Sequence, residues 1–297
     1  MQKLAYYIVY PFIWLLSKAP FFILYAISDF IYVVLFYFIG YRKKLVLHNL
    51  QLSFPEKSDK ELKRIRKKFY AHFVDIFMEM IKTFTISKIE MEKRFKVKNL
   101  NVLSDLTAKS KSIIIMGSHY GNWEWVVSLG GEIKNASTYS TYTKINNKIL
   151  EEKIKSTRER FGGFMVLKRD TIKNMIANTK NNLTSIYGLL SDQSPQLSKA
   201  YYWSEFMGVR VPIHTGAEVL AKKYNCALVY MEISKIKRGY YEVNFELLTE
   251  QPKKYPNFQI TEIYLRKLEK KIRENPNYYF WTHNRFKHRG KEKLTSK

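Results

Sequence analysis

Ile113-Ile-Ile-Met-Gly-Ser-His-Tyr-Gly-Asn-Trp-Glu124 is the stretch on which the reading of this chain turns. Residues 113–116 form a short β-branched run closed by Gly117, which predicts a buried strand. A histidine that follows a strand end at once is held on a rigid scaffold while facing a loop, the usual setting for a reactive side chain. Residues 123–129 then read as a helix. Glu124 lies five positions after His119, and on a regular helix that spacing rotates the two side chains to different faces. They meet only where the segment between them turns, and Gly121-Asn122 supplies turn chemistry. A carboxylate on one imidazole nitrogen fixes the tautomer and leaves the other nitrogen as a general base. Such a pair lacks its own nucleophile, so the hydroxyl it activates belongs to a substrate. A structural histidine at a strand terminus, with Glu124 favouring a helix start, is the alternative.

Outward from this stretch the pattern is α/β. Residues 183–190 form a second buried-strand candidate ending at Ser191-Asp192-Gln193. A helix over 215–224 leads into a third strand over 227–233. Tyr241, Val243, Phe245 and Leu247 alternate with Glu242, Asn244 and Glu246, which predicts a half-exposed antiparallel strand. A charged helix over 262–273 follows. Strands alternating with helices imply a mostly parallel central sheet flanked by helices.

Towards the N-terminus, residues 19–41 read APFFILYAISDFIYVVLFYFIGY, long enough to cross a bilayer. Asp29 stands near the middle, where a carboxylate costs about 2.5–3.5 kcal/mol on insertion scales. The segment therefore spans, or lies partly embedded with Asp29 turned to protein or water. Arg42, Lys43 and Lys44 follow it, so the positive-inside rule keeps the rest of the chain cytoplasmic. Two regions are expected, a membrane segment over 1–41 and a catalytic domain over 42–297. Ser58 and Glu61 have capping-box spacing. They open a long amphipathic, basic helix whose apolar positions run Leu62, Ile65, Phe69, Phe73, Ile76 and Met80. The tail from Lys287 is basic and expected to be partly disordered.

Composition bounds the function. With 46% hydrophobic residues among 297, wholesale disorder is excluded. Cys226 is the single cysteine, so no intrachain disulfide or cysteine-based zinc site exists, and the histidines show no metal-ligand spacing. A formal charge of +25 attracts polyanions. Beside a bilayer the first of these is anionic lipid, which places nucleic acid second. The aromatics lie in apolar-periodic segments and do not alternate with Lys and Arg as a base-stacking platform would.

The block His119-Tyr-Gly-Asn-Trp-Glu124 resembles the His-x4-Asp/Glu block of the lysophospholipid acyltransferase superfamily, and more narrowly the lauroyl/myristoyl lipid A acyltransferases of Gram-negative bacteria. The similarity extends to Asn49-Leu50-x-x-Ser53-Phe54-Pro55, Arg169-Asp170, Ser191-Asp192-Gln193, Phe206-Met207-Gly208, and the closing Trp281-Thr-His283-Asn-Arg285-Phe-Lys287. Tyr120, Met207 and Phe286 depart from the aromatic residues most often found there. The resemblance implies transfer of an acyl chain from acyl carrier protein to a hydroxyl of a lipid A precursor at the cytoplasmic face of the inner membrane. It requires no metal or further cofactor. His119 is then the base and Glu124 its orienting carboxylate. Arg169, beside Asp170, is expected at the thioester oxyanion or a lipid phosphate, Asp192 and Gln193 at the pocket wall, and His283, Arg285 and Lys287 at a phosphate. A lysophospholipid, glycolipid or aminolipid acceptor is the alternative.

Overall fold

The computed structural model describes residues 2–292, with side chains from Tyr10 onward. The chain begins with α1 (Gln2–Lys18) and α2 (Phe21–Val33), the latter continuing as a π-helical stretch (Val34–Ile39). Gly40, at φ +67°, ends that helix. After α3 (Lys43–Ser53) comes α4 (Asp59–Lys82), opened by the expected capping box. The Ser58 hydroxyl accepts from the Glu61 amide, and the Glu61 carboxylate accepts from the Ser58 amide at 2.9 Å. Leu62, Ile65, Phe69, Phe73 and Ile76 are all buried, as the helical period requires.

The α/β region runs α5 (Lys88–Arg94), β1 (Phe95–Val97), α6 (Asn101–Ala108), β2 (Ile113–Gly117), a 3-10 helix (Trp123–Leu129), β3 (Ser137–Tyr142), α7 (Lys148–Glu159), β4 (Phe164–Leu167), α8 (Thr171–Lys180) and β5 (Ser185–Leu190). A small hairpin of β6 (Trp203–Phe206) and β7 (Val209–Pro212) precedes α9 (Gly216–Tyr224), β8 (Ala227–Lys237), β9 (Tyr240–Thr249) and α10 (Gln259–Glu274). The main sheet has seven strands in the order β1-β9-β8-β2-β5-β3-β4. From β8 to β4 every neighbouring pair is parallel, and β9 runs antiparallel to β8. The expected α/β class, with a mostly parallel sheet, is what the chain forms. The stretch Trp123–Leu129 winds as 3-10 rather than α-helix.

Side-chain parity divides the core. Ile114, Met116, Tyr187, Leu228 and Tyr230 face α2–α4, α9 and α10. Ile113, Ile115, Ile186, Val229 and Met231 face α5, α6 and the 3-10 helix. Strands buried on both faces read as continuous apolar runs, which is why β2 and β8 were legible. β3 was not, because its sequence STYSTY carries no apolar run. The basic tail from Lys287 is described to Glu292; residues 293–297 lie outside the described residues.

Candidate active site

His119 leaves the C-terminal end of β2, at the centre of the sheet, beside the end of β5. Open parallel sheets bind ligands in this position, outside the carboxyl ends of their strands. Its loop is fixed from several sides. Tyr264 donates to the Gly117 carbonyl at 2.7 Å, the Phe280 amide donates to the His119 carbonyl at 3.1 Å, and the Gly121 amide donates to the Tyr278 carbonyl at 3.0 Å. The expected turn is present. Gly121 has φ +63°, and a Cβ there would stand 2.7 Å from Cγ2 of Ile233, so only glycine fits. Asn122 caps the 3-10 helix through its side-chain oxygen, 3.1 Å from the Trp125 amide, and donates to the buried Glu79 carboxylate at 2.6 Å. Tyr241 and Tyr25 donate to the same carboxylate at 2.8 and 2.9 Å. Burial raises the Glu79 pKa to about 7, against the lowering effect of Lys235 and its hydrogen-bond donors.

The carboxylate on the His119 imidazole belongs to Asp192. Its Oδ1 lies 2.8 Å from Nδ1 and also accepts from the His119 amide at 3.2 Å. Asp192 comes from the end of β5 and is only 1% exposed. Burial acts to raise its pKa, but the charge and hydrogen bonds of His119 outweigh that and the pKa is lowered. The His119 ring stacks against Phe280 at 5.7 Å and lies 5.4 Å from Trp123. Its Nε2 is 3.2 Å from the Gln193 amide nitrogen. With Nδ1–H donated to Asp192, Nε2 carries the lone pair and accepts from Gln193, the arrangement a general base requires.

Glu124 was expected as the orienting carboxylate and takes a different partner. The 3-10 winding turns it towards α7, where Arg158 donates to Oε2 at 2.5 Å; Trp123 donates to Oε1 at 3.2 Å. Glu124 and Arg158 nevertheless line one cleft with His119, Thr141, Tyr142 and Leu190. The same ion pair lines a second cavity, of about 120 Å³, between the sheet, the 3-10 helix and α6. The lining there is mostly apolar, including Leu103, Ile115, Val126, Ile186, Met231 and Phe245. A third cavity on the other side of His119 includes Lys168, Gln193 and His214. Burial and the neighbouring Lys168 push the His214 pKa down to about 4.

The remaining expected residues divide. Gln193 is in the site. Arg169 is 71% exposed, pairs with Asp170 at 3.7 Å on the surface, and neither lines the cavities around His119. Its neighbour Lys168 points into the site where Arg169 was expected. His283 accepts the Ser194 amide on Nε2 at 3.1 Å, and burial pushes its pKa down to about 4. Arg285 is buried, donating to the Pro212 carbonyl at 3.2 Å and packing over the Phe206 ring. These two brace the loop after Asp192 through Ser194, and Lys287 is exposed. Arg158 was missed because the sequence of α7, KILEEKIKSTRE, reads as an ordinary solvated helix.

Residues 1–288 match the family model for the bacterial lipid A biosynthesis acyltransferase. The chain is 24% identical to the lipid A biosynthesis palmitoleoyltransferase of Escherichia coli over 93% of its length and 89% of that protein's. It is also 24% identical to the E. coli lipid A biosynthesis lauroyltransferase over the same shares, 93% and 89%. A lipid A biosynthesis acyltransferase of Haemophilus influenzae is 23% identical over 62% of this chain and 56% of that protein. The chain belongs to the bacterial lipid A biosynthesis acyltransferase family.

Proposed function

We propose that this chain carries a fatty acyl group from the thioester of acyl carrier protein to a hydroxyl of a lipid A precursor, at the cytoplasmic face of the inner membrane. The observation that carries the reading is that the His119 cleft adjoins the apolar cavity, the two sharing Trp123, Glu124, Thr141, Arg158 and Leu190 as walls. A histidine and an apolar cavity lie side by side, the combination acyl transfer calls for. The acyl chain lies beneath the sheet and its thioester carbon reaches the cleft. His119 Nε2 takes the proton of the acceptor hydroxyl as its oxygen attacks that carbon. Asp192 stabilises the imidazolium through Nδ1. Arg158, held by Glu124, faces the developing oxyanion. The C–S bond then breaks, and the proton on Nε2 passes to the leaving thiolate. Asp192 thus takes the orienting role, and Glu124 acts by positioning Arg158.

The test is mass spectrometry on two samples. Cells lacking the protein should show lipid A short of one acyl chain. Purified protein should restore that chain from acyl-carrier-protein thioester, and His119→Ala should not. Unchanged lipid A with a lysophospholipid accumulating would move the acceptor to that class. Equal rates from coenzyme A thioesters would remove the carrier protein as obligate donor.

A further inference from the structure

The helix from Phe21 to Ile39 is apolar and long enough to cross a bilayer. Its contacts, however, tie it along its length to the catalytic domain. At one end Lys82 of α4 donates to the Ser17 and Ala19 carbonyls at 2.9 and 2.8 Å. In the middle Tyr25 donates to Glu79, and Ser28 donates to Asp75 at 2.8 Å. Arg238, at the β8–β9 turn, bridges Asp29 at 2.6 Å and Asp75 at 2.7 Å. The turn itself sits on the helix, since a Cβ at Gly239 would stand 2.0 Å from the Tyr25 hydroxyl. Beyond the far end Arg42 donates to the Thr282 carbonyl at 2.8 Å.

If this helix crossed a bilayer, Asp29 would lie near the midplane and would carry Arg238, Asp75 and an open hairpin turn into hydrocarbon with it. Non-helical backbone is not tolerated in contact with lipid there, and ionised side chains, even paired ones, are costly at that depth unless they face protein or water. The opposite side of the helix tells the same story. Phe22, Phe30 and Phe38 are 73%, 69% and 80% exposed, with Phe12 and Leu15 of α1 exposed as well. Lys18 lies over the Trp14 ring at one end of this face, and Lys67 lies over the Tyr37 ring at the other, next to exposed Arg42 and Lys44. An apolar stripe with cations at both ends matches one anionic leaflet, acyl chains below and phosphates around.

We propose that α1 and the Phe21–Ile39 helix form an in-plane anchor, buried in the acyl-chain layer of a single anionic leaflet, and that neither crosses the bilayer. This seats the active site at the lipid surface. Phe84 and Met80 of α4 line the His119 cleft, and Phe84 packs on Tyr10 of α1 at 6.2 Å, so the cleft opens beside the anchor. The inference rests on the contacts of the helix and holds whatever the acceptor.

The test places a nitroxide at Phe22→Cys, Phe30→Cys or Phe38→Cys in the full chain, in vesicles of phosphatidylglycerol and phosphatidylethanolamine. Cys226 is buried and does not compete for the label. Power saturation with oxygen and a water-soluble nickel chelate reads depth. Successive sites are about 12 Å apart along the helix. An in-plane helix gives three equal, shallow depths. A spanning helix gives Phe30→Cys deeper than the other two by roughly 12 Å, which overturns the proposal. Three labels fully accessible to nickel, with no lipid contact, overturn it as well. Each labelled protein is scored only where its circular dichroism matches that of the unlabelled chain.

Discussion

Oδ1 of Asp192 stands 2.8 Å from Nδ1 of His119 although 73 positions separate the two residues. The ends of the adjacent parallel strands β2 and β5 bring them together, Gly117 being paired with Leu190 in register. Asp192→Asn keeps the shape of the contact and removes its charge, so the imidazolium loses its stabiliser. A fall in kcat of roughly 100-fold or more is expected, with KM for the acyl donor little changed. Steady-state rates on protein with unaltered circular dichroism check this, and a variant within twofold of wild type removes Asp192 from the mechanism.

Glu124 and Arg158 are expected to act as one unit. Glu124→Gln and Arg158→Gln each lower kcat, and the double variant loses less than the sum, with a coupling of about 1–2 kcal/mol. A double-mutant cycle on initial rates measures it. Additive losses would show that the ion pair between the two cavities has no joint role.

Gly188 sets the width of the apolar cavity. It faces the cavity between Ile115 and Ser140 in the strand register, and a Cβ there would meet only the Tyr139 carbonyl oxygen, at 3.8 Å. Gly188→Val places two methyl groups in the cavity. The longest acyl donor used by wild type should be disfavoured roughly 10-fold or more relative to shorter ones. Product mass spectra from mixed donors report the shift, while an unchanged chain-length profile would put the acyl chain elsewhere.

Burial of Glu79 makes stability depend on pH. A carboxyl group whose folded pKa is raised binds its proton more tightly in the native chain than in the unfolded one. Its contribution is therefore complete below the ordinary value of 4.5 and is lost as pH rises through about 7. Between those limits wild type should lose about 3 kcal/mol more stability than Glu79→Gln, whose side chain does not titrate. Denaturant unfolding of both proteins across this range tests the sign, and parallel curves would refute it.

The amino-acid sequence by itself determined the strand-loop element that carries His119, the turn at Gly121-Asn122, the capped α4 and the alternation of β9 as far as Phe245; Leu247, expected on the buried face, is exposed because a bulge shifts the pairing with β8 there. Each of these is encoded in neighbours along the chain: a β-branched run, a glycine, a capping box, a period of two. It also singled out Asp29 as an anomaly in an apolar helix. Only the tertiary structure decided which groups meet. Asp192 rather than Glu124 reaches His119 because β5 lies beside β2 and the 3-10 helix turns Glu124 towards Arg158. Arg238 reaches Asp29 across 209 positions because a hairpin turn lands on the helix. Partners of this kind depend on strand order and helix winding, which local propensity does not encode, so His119 at its strand end was legible in the sequence and its carboxylate partner was not.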